Sequence, residues 1–186
     1  MSTSATGAKA ELNPPVSEQD HSIGPKNAAV TLVEYGDFEC PHCGAAHLIV
    51  QEARQALGDR LRFVYRHFPL TQIHPYAESA AEASESAAAQ GKFWEMYNLL
   101  FENQDSLDEW SLADFAEQLG LDSEQFARDL ENHTYQERVE QDFNGGVRSG
   151  VHGTPSFFIN GSRYNGSWEL GPLLAALQEA ADNARE

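Results

Sequence analysis

Cysteine is nearly missing from this 186-residue chain, which has two. Two cysteines cannot build a disulfide-stapled scaffold, so the pair reads as one redox or ligand unit. Basic residues are also few: 12 Lys and Arg stand against 29 Asp and Glu, for a formal net charge of −17. That balance excludes phosphate-backbone binding, which needs clusters of Lys and Arg, and no nucleic-acid partner is expected. No apolar run approaches the roughly 20 residues that span a bilayer, so no membrane segment is expected. Met1 to about Asp20 has neither a basic start nor an apolar core, and as written it is not a secretory signal. A cytoplasmic address follows as the expectation; a chain preceded by an export signal would be periplasmic or extracellular. There is no internal repeat.

What the chain does have is organised around Tyr35-Gly36-Asp37-Phe38-Glu39-Cys40-Pro41-His42-Cys43. The apolar run Ala29–Tyr35 before it reads as a buried strand. The stretch Gly44–Ala53 after it reads as a helix that stops near Gly58. The cysteines therefore sit where a strand hands over to a helix N-terminus. Unpaired N–H groups and a partial positive charge there stabilise an anion. Cys40 falls at the N-cap and Pro41 at the first helical position, where a missing N–H costs nothing. His42 can add a positive or hydrogen-bonding influence on the same sulfur. A thiolate is the nucleophile in disulfide exchange, so Cys40 is the expected attacking residue. Cys43, one turn on, is the expected resolving residue and points inward.

Cys-Pro-His-Cys behind Val-Glu-Tyr-Gly-Asp-Phe resembles the DsbA-like thiol–disulfide oxidoreductases of the thioredoxin superfamily. The resemblance spans roughly residues 20–182 and includes His74-Pro75 and Gln90-Gly91-Lys92-Phe93-Trp94-Glu95-Met96. It implies an α/β thioredoxin-like fold, a central mixed sheet flanked by helices, with a helical insertion. It also implies that Pro155 is a cis-proline facing the cysteines, with Thr154 before it offering backbone to an extended substrate. Thr154 and Pro155 are thus the expected substrate-binding residues. Glu34 lies in an otherwise apolar strand, where a carboxylate is costly unless paired or protonated. The resemblance gives it a role in moving protons to and from the inner cysteine. A lysine partner for that acid has no match among Lys9, Lys26 and Lys92. No cofactor is expected; the expected partners are protein or peptide thiols and disulfides, and a redox partner that recycles the pair.

The rest of the chain fits this plan. Residues 1–20 read as a flexible tail, 21–73 and 150–186 as the thioredoxin-like domain, and 74–149 as an inserted helical subdomain. Leu61–Arg66 alternates as a half-buried strand does and ends at Pro69. Asp122 or Ser123 is placed to cap one inserted helix, and Thr134 with Glu137 fits a capping box for the last. Gly145-Gly146 predicts a bend or close packing in it. Pro155–Ile159, Asn160-Gly161 and Ser162–Tyr164 read as a hairpin, and Leu170 to about Ala184 as the closing helix. Asp37 and Glu39 read as solvent-facing, and His67, His74, His133 and His152 as lone histidines without chemistry. Two other readings stay open. One is a non-catalytic binding or chaperone module on the same fold. The other is a metal-binding CxxC protein using His47, for which a structural zinc site lacks a fourth ligand.

Overall fold

A computed structural model describes residues 9–184. Five strands form one mixed sheet: β1 (His21–Ile23), β2 (Val30–Gly36), β3 (Leu61–His67), β4 (Ser156–Ile159) and β5 (Ser162–Tyr164). Their order is β1-β3-β2-β4-β5, with β2 and β3 parallel and the other neighbours antiparallel. Helix α1 (Pro41–Leu57) connects the parallel pair. Helices α2 (Ala77–Ala89), α3 (Phe93–Glu102), α4 (Glu109–Gln118), α5 (Ser123–Glu131) and α6 (Gln136–Arg148) lie between β3 and β4, and α7 (Leu170–Asn183) closes the chain. This is the expected α/β thioredoxin-like architecture.

The alternation of side chains on β2 divides the core in two. Val30 and Leu32 face one layer with Leu61, Phe63, Tyr65 and Phe157, packed under α1, α3 and α7. Val33 and Tyr35 face the other with Val64, Phe68, Val151 and Phe158. Glu34 shares the parity of Leu32, so it enters the layer that holds Cys40 and Cys43. Met96, Tyr97, Leu100 and Phe101 of α3 belong to that same layer. Helices between β3 and β4 therefore share the sheet's core with the cysteine-bearing helix.

Close packing, not a bend, accounts for Gly145-Gly146: helix α6 runs through both. A Cβ on Gly146 would lie 2.6 Å from the Phe68 ring and 3.1 Å from that of Tyr35. The β4–β5 turn has Asn160 at φ 48° and Gly161 at φ 85°, the paired left-handed residues of a tight hairpin.

Two expectations need correction or bounding. The expected tail falls partly on residues 1–8, which lie outside the described residues; residues 9–20 pack along the sheet. Leu12 is buried, its N–H donates to Gly161 O (2.7 Å), and Arg163 N–H donates to Ala10 O (2.8 Å). Arg66 donates to Pro14 O, Pro15 O and the Asp20 carboxylate, so a buried guanidinium holds the segment. The Thr134–Glu137 capping box does not form: α6 starts after Tyr135 with no side-chain cap. Thr134 N–H instead donates to Asp129 O, finishing α5. Asp122 does cap α5, accepting from Gln125 N–H at 3.0 Å.

Candidate active site

Strand β2 ends at Gly36, and four residues carry the chain to α1. Cys40 is the N-cap, with extended backbone at φ −69° and ψ 121°, and Pro41 opens the helix. Cys40 N–H donates to Asp37 O, and Gly44 N–H donates to Cys40 O, both at 3.1 Å. The Asp37 carboxylate is buried, against the expectation that it faces solvent. Three donors replace the water it loses: Glu39 N–H (2.8 Å), Leu70 N–H (2.9 Å) and His74 Nδ1 (2.7 Å). Glu39 is half-buried, and its carboxylate accepts from Tyr76 N–H at 2.7 Å. From the other side Gln104 Nε2 donates to Phe38 O (2.9 Å) and Cys40 O (2.8 Å). Loop 37–40 is thus clamped by residues far along the chain.

Both cysteines are free thiols and buried. Cys40 Sγ lies 3.6 Å from Thr154 O, to which it donates when it carries its proton. A bond from the Cys43 thiol draws the Cys40 pKa down most; burial opposes it, and the Thr154 hydroxyl and the N–H groups of Cys43 and His42 add to the lowering. The outcome is a pKa of about 5, against an ordinary 9. Cys43 moves the other way, far up, first through burial and then because it donates to Cys40 and faces the negative charges of Glu34 and Cys40. One thiol is thereby an anion at neutral pH while the other keeps its proton. Thr154 Oγ1 is buried and has no hydrogen-bond partner among the described residues.

Glu34 is fully buried, and neither carboxylate oxygen has a hydrogen-bond partner. Burial, then the Cys40 charge, pushes its pKa up to about 8. An acid balanced there can hold or release a proton near neutrality. Pro41 and His42 are exposed, and His42 acts on Cys40 through its backbone N–H. The Thr154–Pro155 bond is cis. His47 is buried on α1, stacked on Phe101 with ring centroids 5.1 Å apart, and burial holds its pKa down to about 4. His67 is not a lone histidine: with His21 it bonds one oxygen of Glu85, each at 2.7 Å. Among the described residues this is the one cluster with three metal-ligand side chains. Its atoms satisfy one another at hydrogen-bond distances, tying β1 and β3 to α2.

Sequence reasoning missed three residues that hold the site: Asp37, His74 and Gln104. Asp37, the residue directly after the strand end at Gly36, had the form of a turn residue. His74 and Gln104 carried no local signal, since their partners are 37 and 64 to 66 residues away.

Comparison with known proteins agrees with the fold. A family profile described as Thioredoxin matches residues 16–179. The chain is similar to a thioredoxin-like oxidoreductase from Silicibacter pomeroyi, with 30% identity, a TM-score of 0.76 and coverage of 91% of this chain and 94% of that one. It also superimposes on oxidised BdbD from Bacillus subtilis, with 22% identity, a TM-score of 0.81 and coverage of 94% and 98%. In sequence it is 46% identical over 170 residues to the Na(+)/H(+) antiporter NhaA 3 of Salinispora tropica, covering 90% of this chain and 26% of that protein. The chain thus spans about a quarter of the length of the curated relatives it matches. No helix among the described residues is long and apolar enough to cross a membrane.

Proposed function

The chain belongs to the thioredoxin superfamily, in the DsbA-like form of its fold, and from that premise we propose that it exchanges disulfides with protein thiols through Cys40 and Cys43. The observation that carries this reading is the placement of the two thiols, Cys40 at the N-cap of α1 and Cys43 buried one turn on, where a bond from Cys43 lowers the Cys40 pKa most and burial raises that of Cys43. In the reducing direction the Cys40 thiolate attacks one sulfur of a substrate disulfide. The Cys40–substrate S–S bond forms, the substrate S–S bond breaks, and the second substrate sulfur leaves as thiolate and takes a proton. Cys43 then loses its proton and attacks the Cys40 sulfur. The mixed disulfide breaks, the first substrate sulfur leaves, and the protein holds a Cys40–Cys43 disulfide two electrons more oxidised. Oxidation of a substrate dithiol is the same sequence reversed.

Glu34 serves the second step. While Cys40 is a thiolate, its charge favours the protonated form of Glu34. Forming the mixed disulfide removes that charge, so Glu34 ionises more readily when Cys43 needs a base. Thr154 and Pro155 serve the substrate: Thr154 presents backbone beside Cys40, where an extended segment can pair. A cleft lined by Phe68, Leu70, Ile73, Phe143, Val151 and His152 includes the two residues that precede Gly153-Thr154-Pro155 in the chain. Pro41 fixes the helix start, and His42 supplies an N–H to the sulfur.

Insulin reduction and oxidation of a dithiol peptide test the activity; Cys40→Ser is expected to abolish both. An active Cys40→Ser protein, or a wild type inert in both assays, overturns the reading. Equilibration with glutathione assigns the direction, since the reduction potential against the compartment's decides whether the pair is held oxidised. The match to a quarter of an antiporter favours a further reading, in which the exchanged thiols lie on or beside a Na(+)/H(+) antiporter. A Cys43→Ser protein, which stalls at the mixed disulfide, is expected to form a reducible adduct with such a transporter in membranes. No adduct there sets this partner aside.

A further inference from the structure

His74 has no part in the exchange steps just described, yet it is built into the floor of the site. Its Nδ1 bonds Asp37 Oδ2 at 2.7 Å, and its backbone N–H donates to Leu70 O at 2.9 Å. Leu70 N–H bonds the same Asp37 oxygen, so loop 70–74 grips the carboxylate twice. Asp37 in turn accepts from Cys40 N–H through its carbonyl. The path from imidazole to sulfur-bearing residue is thus two hydrogen bonds and one residue. A buried carboxylate at this point opposes a thiolate on the next turn of chain. A cation seated on that carboxylate removes the opposition.

Resting on the oxidoreductase reading, we propose that His74 is a positioning residue of the redox pair: as imidazolium on Asp37 it offsets the carboxylate beneath the helix start and favours the Cys40 thiolate. The charges that face His74 agree with this role. Burial works against its protonation, but the Asp37 bond and the negative charges of Asp37, Cys40 and Glu39 raise its pKa above the ordinary value. Glu39 comes from the active-site loop and meets the start of α2 at Tyr76 N–H. Leu70, Thr71, Gln72 and Ile73 bring no charge of their own. Coupling between two ionising groups is reciprocal: if the Cys40 charge holds a proton on His74, that proton lowers the Cys40 pKa equally. Forming the Cys40–Cys43 disulfide removes the thiolate, and His74 then binds its proton less tightly. Oxidation of the pair therefore releases part of a proton from His74 in addition to those from the thiols.

The test reads both partners. In reduced wild type and His74→Gln, Cys40 is titrated by thiolate absorbance; glutamine keeps a donor for Asp37 but cannot carry charge. The variant's Cys40 acidity is expected to be roughly two- to fivefold weaker, the range of a partly screened ion pair. In wild type, NMR is expected to give His74 a higher titration midpoint in the reduced than in the disulfide form, by the corresponding two- to fivefold change in proton affinity. That second arm needs no variant and stands if His74→Gln misfolds. Superimposable Cys40 titrations in a folded variant, or one His74 midpoint in both redox states, overturn the proposal. Insulin reduction by wild type, run in parallel, judges the oxidoreductase reading separately. An inert wild type ends that reading while the titrations still decide the coupling, and an active wild type with uncoupled titrations ends only the role of His74.

Discussion

Replacing Glu34 by glutamine is expected to stabilise the protein, and to do so only where the acid would be ionised in the unfolded chain. The folded-state pKa is raised to about 8 from 4.5, first by burial and then by the Cys40 charge. For a carboxylate shifted this way the sign is fixed. Below pH 4.5 the group is protonated in both states and its contribution to stability is fully present. As pH rises toward 8 the unfolded chain ionises while the folded one must keep the proton, and stability falls by ~1.4 kcal/mol per pH unit. Above about 8 the loss levels off. At pH 7 the penalty is on the order of 3 kcal/mol. Glutamine removes it and leaves a buried amide that lacks partners much as the protonated acid does, so the remaining difference is small. Denaturant midpoints of the reduced proteins at pH 4.5, 6, 7 and 8 are the assay. The variant's advantage is expected to be near zero at the acid end and to grow toward pH 8. A Cys40→Ser background should shrink it by the part due to the thiolate. An advantage that does not vary with pH, or a variant less stable at pH 8, refutes the reasoning that Glu34 is buried without compensation.

The same Glu34→Gln protein is expected to slow resolution of a mixed disulfide by Cys43 while leaving the first attack by Cys40 nearly intact, read by stopped-flow with a disulfide peptide; equal slowing of both steps would instead mark a general structural loss. Thr154→Val is expected to weaken the acidity of Cys40 severalfold, because the Thr154 hydroxyl helps lower the Cys40 pKa and hydrogen bonds to charged groups are worth ~1.5–3 kcal/mol. An unchanged thiolate titration would remove the hydroxyl from the site. Gln104→Ala strips donors from Phe38 O and Cys40 O and is expected to cost ~1–2 kcal/mol in chemical denaturation and to lower exchange rates. Full activity in that variant would show that the clamp is dispensable. Gly146→Ala, which drives a Cβ to 2.6 Å from the Phe68 ring, is expected to cost ~1–3 kcal/mol, and a neutral effect on the denaturant midpoint would contradict the close packing of α6 on the sheet.

The features legible in the sequence are those that break a local pattern. The two cysteines stood out by scarcity, and the strand and helix flanking them by period. Glu34 stood out because a carboxylate has no place in an apolar strand, and the structure indeed buries it. The Asn160-Gly161 turn carries its own backbone requirement. Asp37, His74, Gln104 and residues 9–20 break no pattern. Asp37 has the form of a turn residue, and only its donors from Glu39, Leu70 and His74 make its burial tolerable. The small, polar N-terminal stretch has the composition of a tail, and it is Arg66, Ser149 and the β5 edge that order its residues from 9 onward. Each of these depends on a partner distant in sequence, so no window of sequence contains the reason for it. The division also follows function. Groups that carry electrons or protons have unusual chemistry and betray themselves locally. Groups that set the charge state of those carriers are ordinary polar residues whose effect comes from placement. A substitution at His74 or Gln104 therefore looks harmless in the sequence, while the structure predicts that it changes how Cys40 ionises or where it is held.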